Sequence, residues 1–141
     1  MSLDDWILAL HLLSAFSLVA AMILFWVVFL ALRTAASPDP TLAGLVRAGN
    51  VAVAVGVLGT LVTGVWLAIS LDAYALWDGW VIAALVLWAI GTEAGRRAGA
   101  AAGPDPSAAG EEARRRAFLL HGVSSLAVLA LLIDMIWKPG A

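Results

Sequence analysis

The sequence predicts an all-α fold, a polytopic membrane four-helix bundle running up-down-up-down with both termini on the outer side (N-out, C-out). Three observations predict it. The 141 residues are 63% hydrophobic and 13% charged, against roughly 25% charged in a soluble domain. Four apolar segments, residues 6–32, 48–71, 74–95 and 117–137, approach the ~20 residues that a spanning helix needs. The basic residues Arg33, Arg47, Arg96, Arg97, Arg114, Arg115 and Arg116 fall in the two connections that four spans would place on one side, and only Lys138 lies elsewhere. The positive-inside rule assigns that side to the cytoplasm.

The first apolar run carries no charge from Trp6 to Leu32. It follows Asp4 and Asp5 instead of basic residues and exceeds the ~7–15 residues of a signal-peptide core, so we expect a retained span over 5–32. Ser37-Pro38-Asp39-Pro40-Thr41 punctuates the first connection, with Thr41 expected to cap the second helix. The second span, 45–71, carries Ala52, Gly56, Thr60 and Gly64 at i+4 spacing. Small residues of this kind let helices approach closely in lipid. Trp66 falls on another face and is expected to meet lipid.

The third span, 75–97, is uncharged only over residues 79–92, so Glu93 is expected at the inner membrane edge. Gly91, Gly95 and Gly99 form a second small-residue stripe. Residues 100–110, containing Gly103-Pro104-Asp105-Pro106-Ser107, read as a flexible linker. Glu111 and Glu112 open the fourth helix, where acids complement the N-terminal dipole, and its span runs over 114–137. Trp6, Trp77, Trp80 and Trp137 map to the outer leaflet as an interfacial belt. The whole of 1–141 is expected to be one transmembrane domain of a bacterial-type plasma (inner) membrane.

Composition also excludes functions. With no cysteine, there is no thiolate metal site, disulfide or thiol nucleophile. No phosphate-binding loop or nucleic-acid surface is present. The cytoplasmic arginines are explained as topology signals, with a possible attraction to anionic lipid.

The candidate functional residues are the polar ones inside the membrane. His11 and His121 are the chain's two histidines, and an imidazole in a span is costly and tends to be functional. His11 lies roughly 9 Å below the outer boundary and His121 roughly 7–8 Å above the inner one at 1.5 Å per residue. Two imidazoles sharing a metal ion need nitrogens about 4 Å apart, so two separate sites are expected. Each histidine has a serine at i+3, Ser14 and Ser124, on the same helix face. These serines either orient the imidazole and bind a ligand propionate, or serve as small interface residues. Glu93 lies near the depth of His121 and either pairs with it or is neutralised by Arg96 and Arg97. Asp134 has Lys138 at i+4 as its expected partner.

The opening Trp6-Ile7-Leu8-Ala9-Leu10-His11, followed by a stretch rich in small residues, resembles the first helix of the HemJ-type protoporphyrinogen oxidases and of the CopD-like copper-resistance membrane domains. Thr63-Gly64-Val65-Trp66-Leu67-Ala68, followed by Trp77 and Trp80, is similar to a group of uncharacterised integral membrane proteins near them. The first resemblance implies a b-type haem held at the position of His11. Those oxidases also use an intramembrane lysine, whereas the single lysine here, Lys138, stands at the outer end. The likeness to the CopD-like domains implies copper handling, for which three methionines and no cysteine offer few soft ligands.

The leading expectation is therefore an integral membrane protein that binds haem b or a metal ion (copper or zinc) through His11 and His121, with Ser14, Ser124 and Glu93 at the cofactor. It is possibly redox-linked, and the sequence leaves open whether it is an enzyme. One alternative is a non-catalytic assembly or interaction subunit without a cofactor. Another is a small-solute or proton pathway. A homo-oligomer in the lipid bilayer, through the Gly56/Gly64 or Gly91/Gly95 faces, is expected with any of them.

Overall fold

Continuous apolar sequence makes helices here because a backbone away from water must satisfy its own hydrogen bonds. The computed structural model describes residues 2–34, 40–70, 77–103 and 109–138. They form four helices: α1 (Leu3–Thr34), α2 (Pro40–Ser70), α3 (Gly79–Ala102) and α4 (Glu111–Trp137). Among the described residues there is no strand.

The helices are apolar all round, as membrane helices are. Leu13 and Phe16 on α1, Leu58 and Val62 on α2, and Leu126 on α4 all point outward. Leu3–Leu32, Thr41–Ser70 and Glu111–Trp137 are long and apolar enough to cross a membrane, with mean hydropathy of 2.7, 2.2 and 2.1. α3 differs. Its second half carries Glu93, Arg96, Arg97 and a run of alanine and glycine, which dilutes its hydropathy.

Several local expectations change. α2 begins at Pro40, a residue suited to the first helical position, so Thr41 lies inside the first turn and not at the cap. α4 does open on Glu111 and Glu112. It ends at Lys138, in the left-handed conformation (φ 41°), whose backbone N–H donates to Asp134 O. The Ser37-Pro38-Asp39 turn, the segment 71–76 and the centre of the linker at 104–108 lie outside the described residues. Trp66 faces outward as expected, as do Trp6, Trp77 and Trp137, but Trp80 is buried. Lys138 Nζ lies 5.5 Å from the centre of its ring, close enough for a cation–π contact.

α1 packs along α2, and α3 along α4. The first pair has a 3.5-residue seam, the repeat of a left-handed supercoil. His11, Ser14, Leu18 and Phe25 of α1 meet Gly64, Gly59, Gly56 and Gly49 of α2 in antiparallel order, and Ala21, Val28 and Leu32 continue the buried α1 stripe. A Cβ on Gly56 would lie 2.8 Å from Leu18 Cβ and 2.9 Å from its backbone nitrogen, and one on Gly59 would land on Ser14 Oγ. The glycines thus bring the backbones together, and dispersion across the seam replaces the hydrophobic effect that lipid does not supply. Ser17 Oγ–H adds an interhelical bond to Ala52 O at 3.1 Å.

In the second pair, Gly91 and Gly95 face Ser124 and Ala127, and Ser124 Oγ–H donates to Gly91 O at 2.8 Å. The two hairpins touch only lightly, through α1 and α4, and pack still less on the side of α2 and α3. That open side leaves a cavity of about 480 Å³ between the hairpins, walled by all four helices.

Candidate functional site

His121 stands at the junction of the hairpins. The 3.5-residue seam of α4 buries Ala117, His121 and Val128, and His121 projects toward α1. Its Nε2–H donates to Met22 O at 3.2 Å. The rings of Phe25, Trp26 and Phe29 surround it, with centroids at 5.9, 5.0 and 5.4 Å. Phe118 extends the cluster, edge-on to Trp26 at 5.0 Å. A second bond ties the hairpins: Trp26 Nε1–H donates to Ser125 Oγ at 3.0 Å, whose own hydrogen goes back to His121 O.

A carbonyl can only accept, so the bond to Met22 fixes His121 as the Nε2–H tautomer and leaves the lone pair on Nδ1. No hydrogen-bond partner of Nδ1 is found among the described residues. The imidazole is 7% exposed and lines the inter-hairpin cavity.

His11 has the opposite arrangement. Its Nδ1 lies 3.0 Å from Thr63 Oγ1. Thr63 gives its hydroxyl hydrogen to Gly59 O, so its oxygen accepts from His11 Nδ1–H, and the lone pair is on Nε2. The ring packs in the α1–α2 seam, where its Cε1 would be 3.1 Å from a Cβ on Gly64, and it does not line the cavity. Met22, the partner of His121, is eleven residues beyond His11 on α1, about 16 Å along the axis. The two imidazoles therefore occupy separate places.

The remaining expected site residues hold the bundle together. Ser14 Oγ–H returns to Leu10 O at 2.8 Å while its Oγ sits against Gly59. Ser124 lines the cavity, but its hydroxyl hydrogen is given to α3. Glu93 does not reach His121. Its carboxylate takes Arg96 Nε at 2.7 Å and Nη2 at 2.9 Å, and Arg97 Nε at 2.6 Å. The i+4 partner expected for Asp134 is likewise replaced: Lys138 lies over Trp80, and Asp134 Oδ2 is buried with no hydrogen-bond partner among the described residues. Gly56, Gly64, Gly91 and Gly95 each face the neighbouring helix of their own hairpin.

The Phe25/Trp26/Phe29 cluster and Asn50 were not singled out from the sequence, and Thr63 and Arg96 were read there in other roles, as part of a motif and as a charge partner of Glu93. The spacing Gly49, Ala52, Gly56, Gly59, Thr63 carries the signal that identifies Thr63 as an interface position, because it alternates three and four residues as a supercoil seam does.

No family model, curated protein or solved structure matches the chain. The chemistry of the site stands on its own residues. Among those described, no three His, Asp or Glu side chains gather where they could hold a metal ion. A bare copper or zinc ion would lack donors. A metal carried within its own macrocycle needs fewer from the protein, and His121 suits one such position. Its imidazole lines the cavity, while Nε2–H is anchored on a backbone carbonyl, the support usual behind ligating imidazoles.

Proposed function

We propose that this chain is a multi-pass membrane protein of a bacterial-type inner membrane that binds haem b in the cavity between its hairpins, with His121 Nδ1 as the protein's ligand. The observation that carries this reading is the buried imidazole of His121, which lines the cavity and has no hydrogen-bond partner for Nδ1 among the described residues. The volume supports it, because small-molecule and cofactor sites commonly enclose about 300–1,000 Å³ with mostly apolar walls and a few placed polar groups. Leu18, Met22, Val57 and Leu131 supply apolar wall. When bound, haem would bring one-electron redox chemistry. The protein's part is to hold the imidazole tautomer through Met22 O, exclude water with the aromatic cluster, and admit the ligand through the side left open between α2 and α3.

The same reading has all four helices spanning, N-out and C-out. Arg47, Arg96, Arg97 and Arg114 to Arg116 gather at one end of the antiparallel helices and Trp6, Trp77 and Trp137 at the other, the polarity of the positive-inside rule and the aromatic belt. The other readings have less support. The glycine faces that an assembly subunit would offer are occupied within the chain, and a proton relay from His11 to His121 would have to cross the apolar seam at Leu18 and Ala21.

The test is haem titration of the purified protein in detergent, followed by Soret absorbance. Wild type and His11→Ala should bind, and His121→Ala should lose the ligated spectrum. Gly99→Phe should also lose it, because a side chain there enters the cavity from a position where a Cβ meets nothing within 4 Å. Absence of haem binding by wild type, or equal binding by His121→Ala, would overturn the reading.

A further inference from the structure

The cavity has a chemical direction that His121 does not explain. Most of its wall is apolar, but two polar side chains, Asn50 on α2 and Arg96 on α3, line it at about the depth of His121: Gly49 packs on Phe25, a ring neighbour of the imidazole, and Gly95 on Ser124, one turn from it. Both are exposed, so they form a rim and not a buried pair. On the α3 side the wall consists of Gly91, Gly95 and Gly99, continuing to Gly103. A Cβ at Gly99 or Gly103 would meet nothing within 4 Å, so open space lies directly beside the backbone on the C-terminal side of Arg96.

The charge at the rim is unbalanced. Glu93 is the one carboxylate in the group, and it holds Arg96 and Arg97 at once. Two guanidiniums and one carboxylate leave one net positive charge, and both of Glu93's oxygens are already engaged. Arg96 has five N–H donors in a fixed fork and gives two of its nitrogens to Glu93. Arg97 pairs with the same carboxylate but does not line the cavity. The surplus charge is therefore directed at the cavity through Arg96.

We propose that the ligand of this cavity is an acidic amphiphile, whose carboxylate is held by Arg96 and Asn50 at the exposed edge of the cavity and whose apolar body lies along the glycine-faced wall of α3. This inference rests on the inter-hairpin cavity as the binding site. It adds the requirement for an acid group, which ligation by His121 does not demand. Guanidinium–carboxylate contacts are the strong, geometrically selective kind, whereas an apolar wall alone discriminates weakly between an acid and its ester.

The experiment compares acids with their methyl esters on the purified full chain in detergent, by quenching of tryptophan fluorescence. The probes are metal-free protoporphyrin IX against its dimethyl ester, and oleate against methyl oleate. Neither pair offers a metal to His121, so ligation is separated from acid recognition, and the two bodies distinguish a macrocycle from a lipid acid as the source of the carboxylate. At least one acid should bind wild type about tenfold or more tighter than its ester, the scale of one hydrogen bond to a charged group. Arg96→Gln should erase that preference while leaving ester binding unchanged. Arg97→Gln should leave the preference in place, and Glu93→Gln, which frees Arg96, should increase it. His121→Ala should retain it. Equal affinity for acid and ester in wild type, or a preference that survives Arg96→Gln, would overturn the inference while the cavity and its haem reading stand. Failure of all four probes to bind would also overturn the inference, and the haem reading is decided separately by the Soret titration.

Discussion

The two histidines invite direct comparison because their sequence settings match. Each lies in an apolar helix with a serine three residues on, yet the structure gives them opposite tautomers and opposite surroundings. His11 lies in a glycine-lined seam, donates from Nδ1 to Thr63, and packs against Gly64. His121 lies where two hairpins meet without closing, donates from Nε2 to Met22 O, and lines a cavity, its remaining nitrogen without a hydrogen-bond partner among the described residues. Whether a membrane histidine can receive a ligand thus depends less on its helix than on whether the opposing helix fills the space beside it.

The comparison can be broken most severely at His121. His121→Ala should abolish ligated haem binding and remove the hydrogen bond to Met22 O that joins the hairpins, whereas His11→Ala should leave the Soret spectrum intact. Absorbance titration of the two variants side by side checks this. The next largest effect falls on the α1–α2 seam. Gly59→Val places side-chain atoms on Ser14 and should destabilise the protein by about 1–3 kcal/mol, the usual scale of overpacking. The same change at Gly110, where a Cβ meets nothing within 4 Å, should not show this overpacking cost. Thermal unfolding in detergent separates them.

A smaller effect should come from the His11 bond. His11→Ala or Thr63→Val should each cost about 1 kcal/mol, as for a typical intramolecular hydrogen bond. The double variant should cost less than the sum, because the two changes remove the same interaction. The smallest belongs to Glu93. Its pairs with Arg96 and Arg97 are exposed, and exposed ion pairs contribute little. Glu93→Gln should therefore leave the melting temperature unchanged, and its effect should appear only in the binding of acidic probes.

Much of the fold was legible in the sequence, because apolar length and caps are local signals. The four helices, the acid-led start of α4 and the outward face of Trp66 follow from them. The pairing of faces was only partly legible. Gly56 and Gly64 do face α1, but the seam alternates through Gly49, Gly59 and Thr63, so a strict i+4 stripe drifts off it. The burial of Trp80 was not legible, since an aromatic at a helix start reads the same whether it faces headgroups or a neighbouring helix. The separation of His11 from His121 was legible from depth. The cavity was not, because it arises from packing that is missing between α2 and α3, and a gap between helices leaves no pattern along either one. Arg96 was masked for a related reason: its pairing with Glu93 accounts for it locally, and only the shape of the bundle places it at the rim.

The central claim, that one histidine is closed and the other open, is tested most directly by ¹⁵N magnetic resonance of histidine-labelled protein in detergent, recorded before and after haem is added. The account predicts two neutral imidazoles of opposite tautomer, protonated on Nδ1 at His11 and on Nε2 at His121, with only the Nδ1 resonance of His121 altered by the ligand. Two imidazoles of the same tautomer, or a ligand-dependent change at Nε2 of His11 with His121 unaffected, would contradict it.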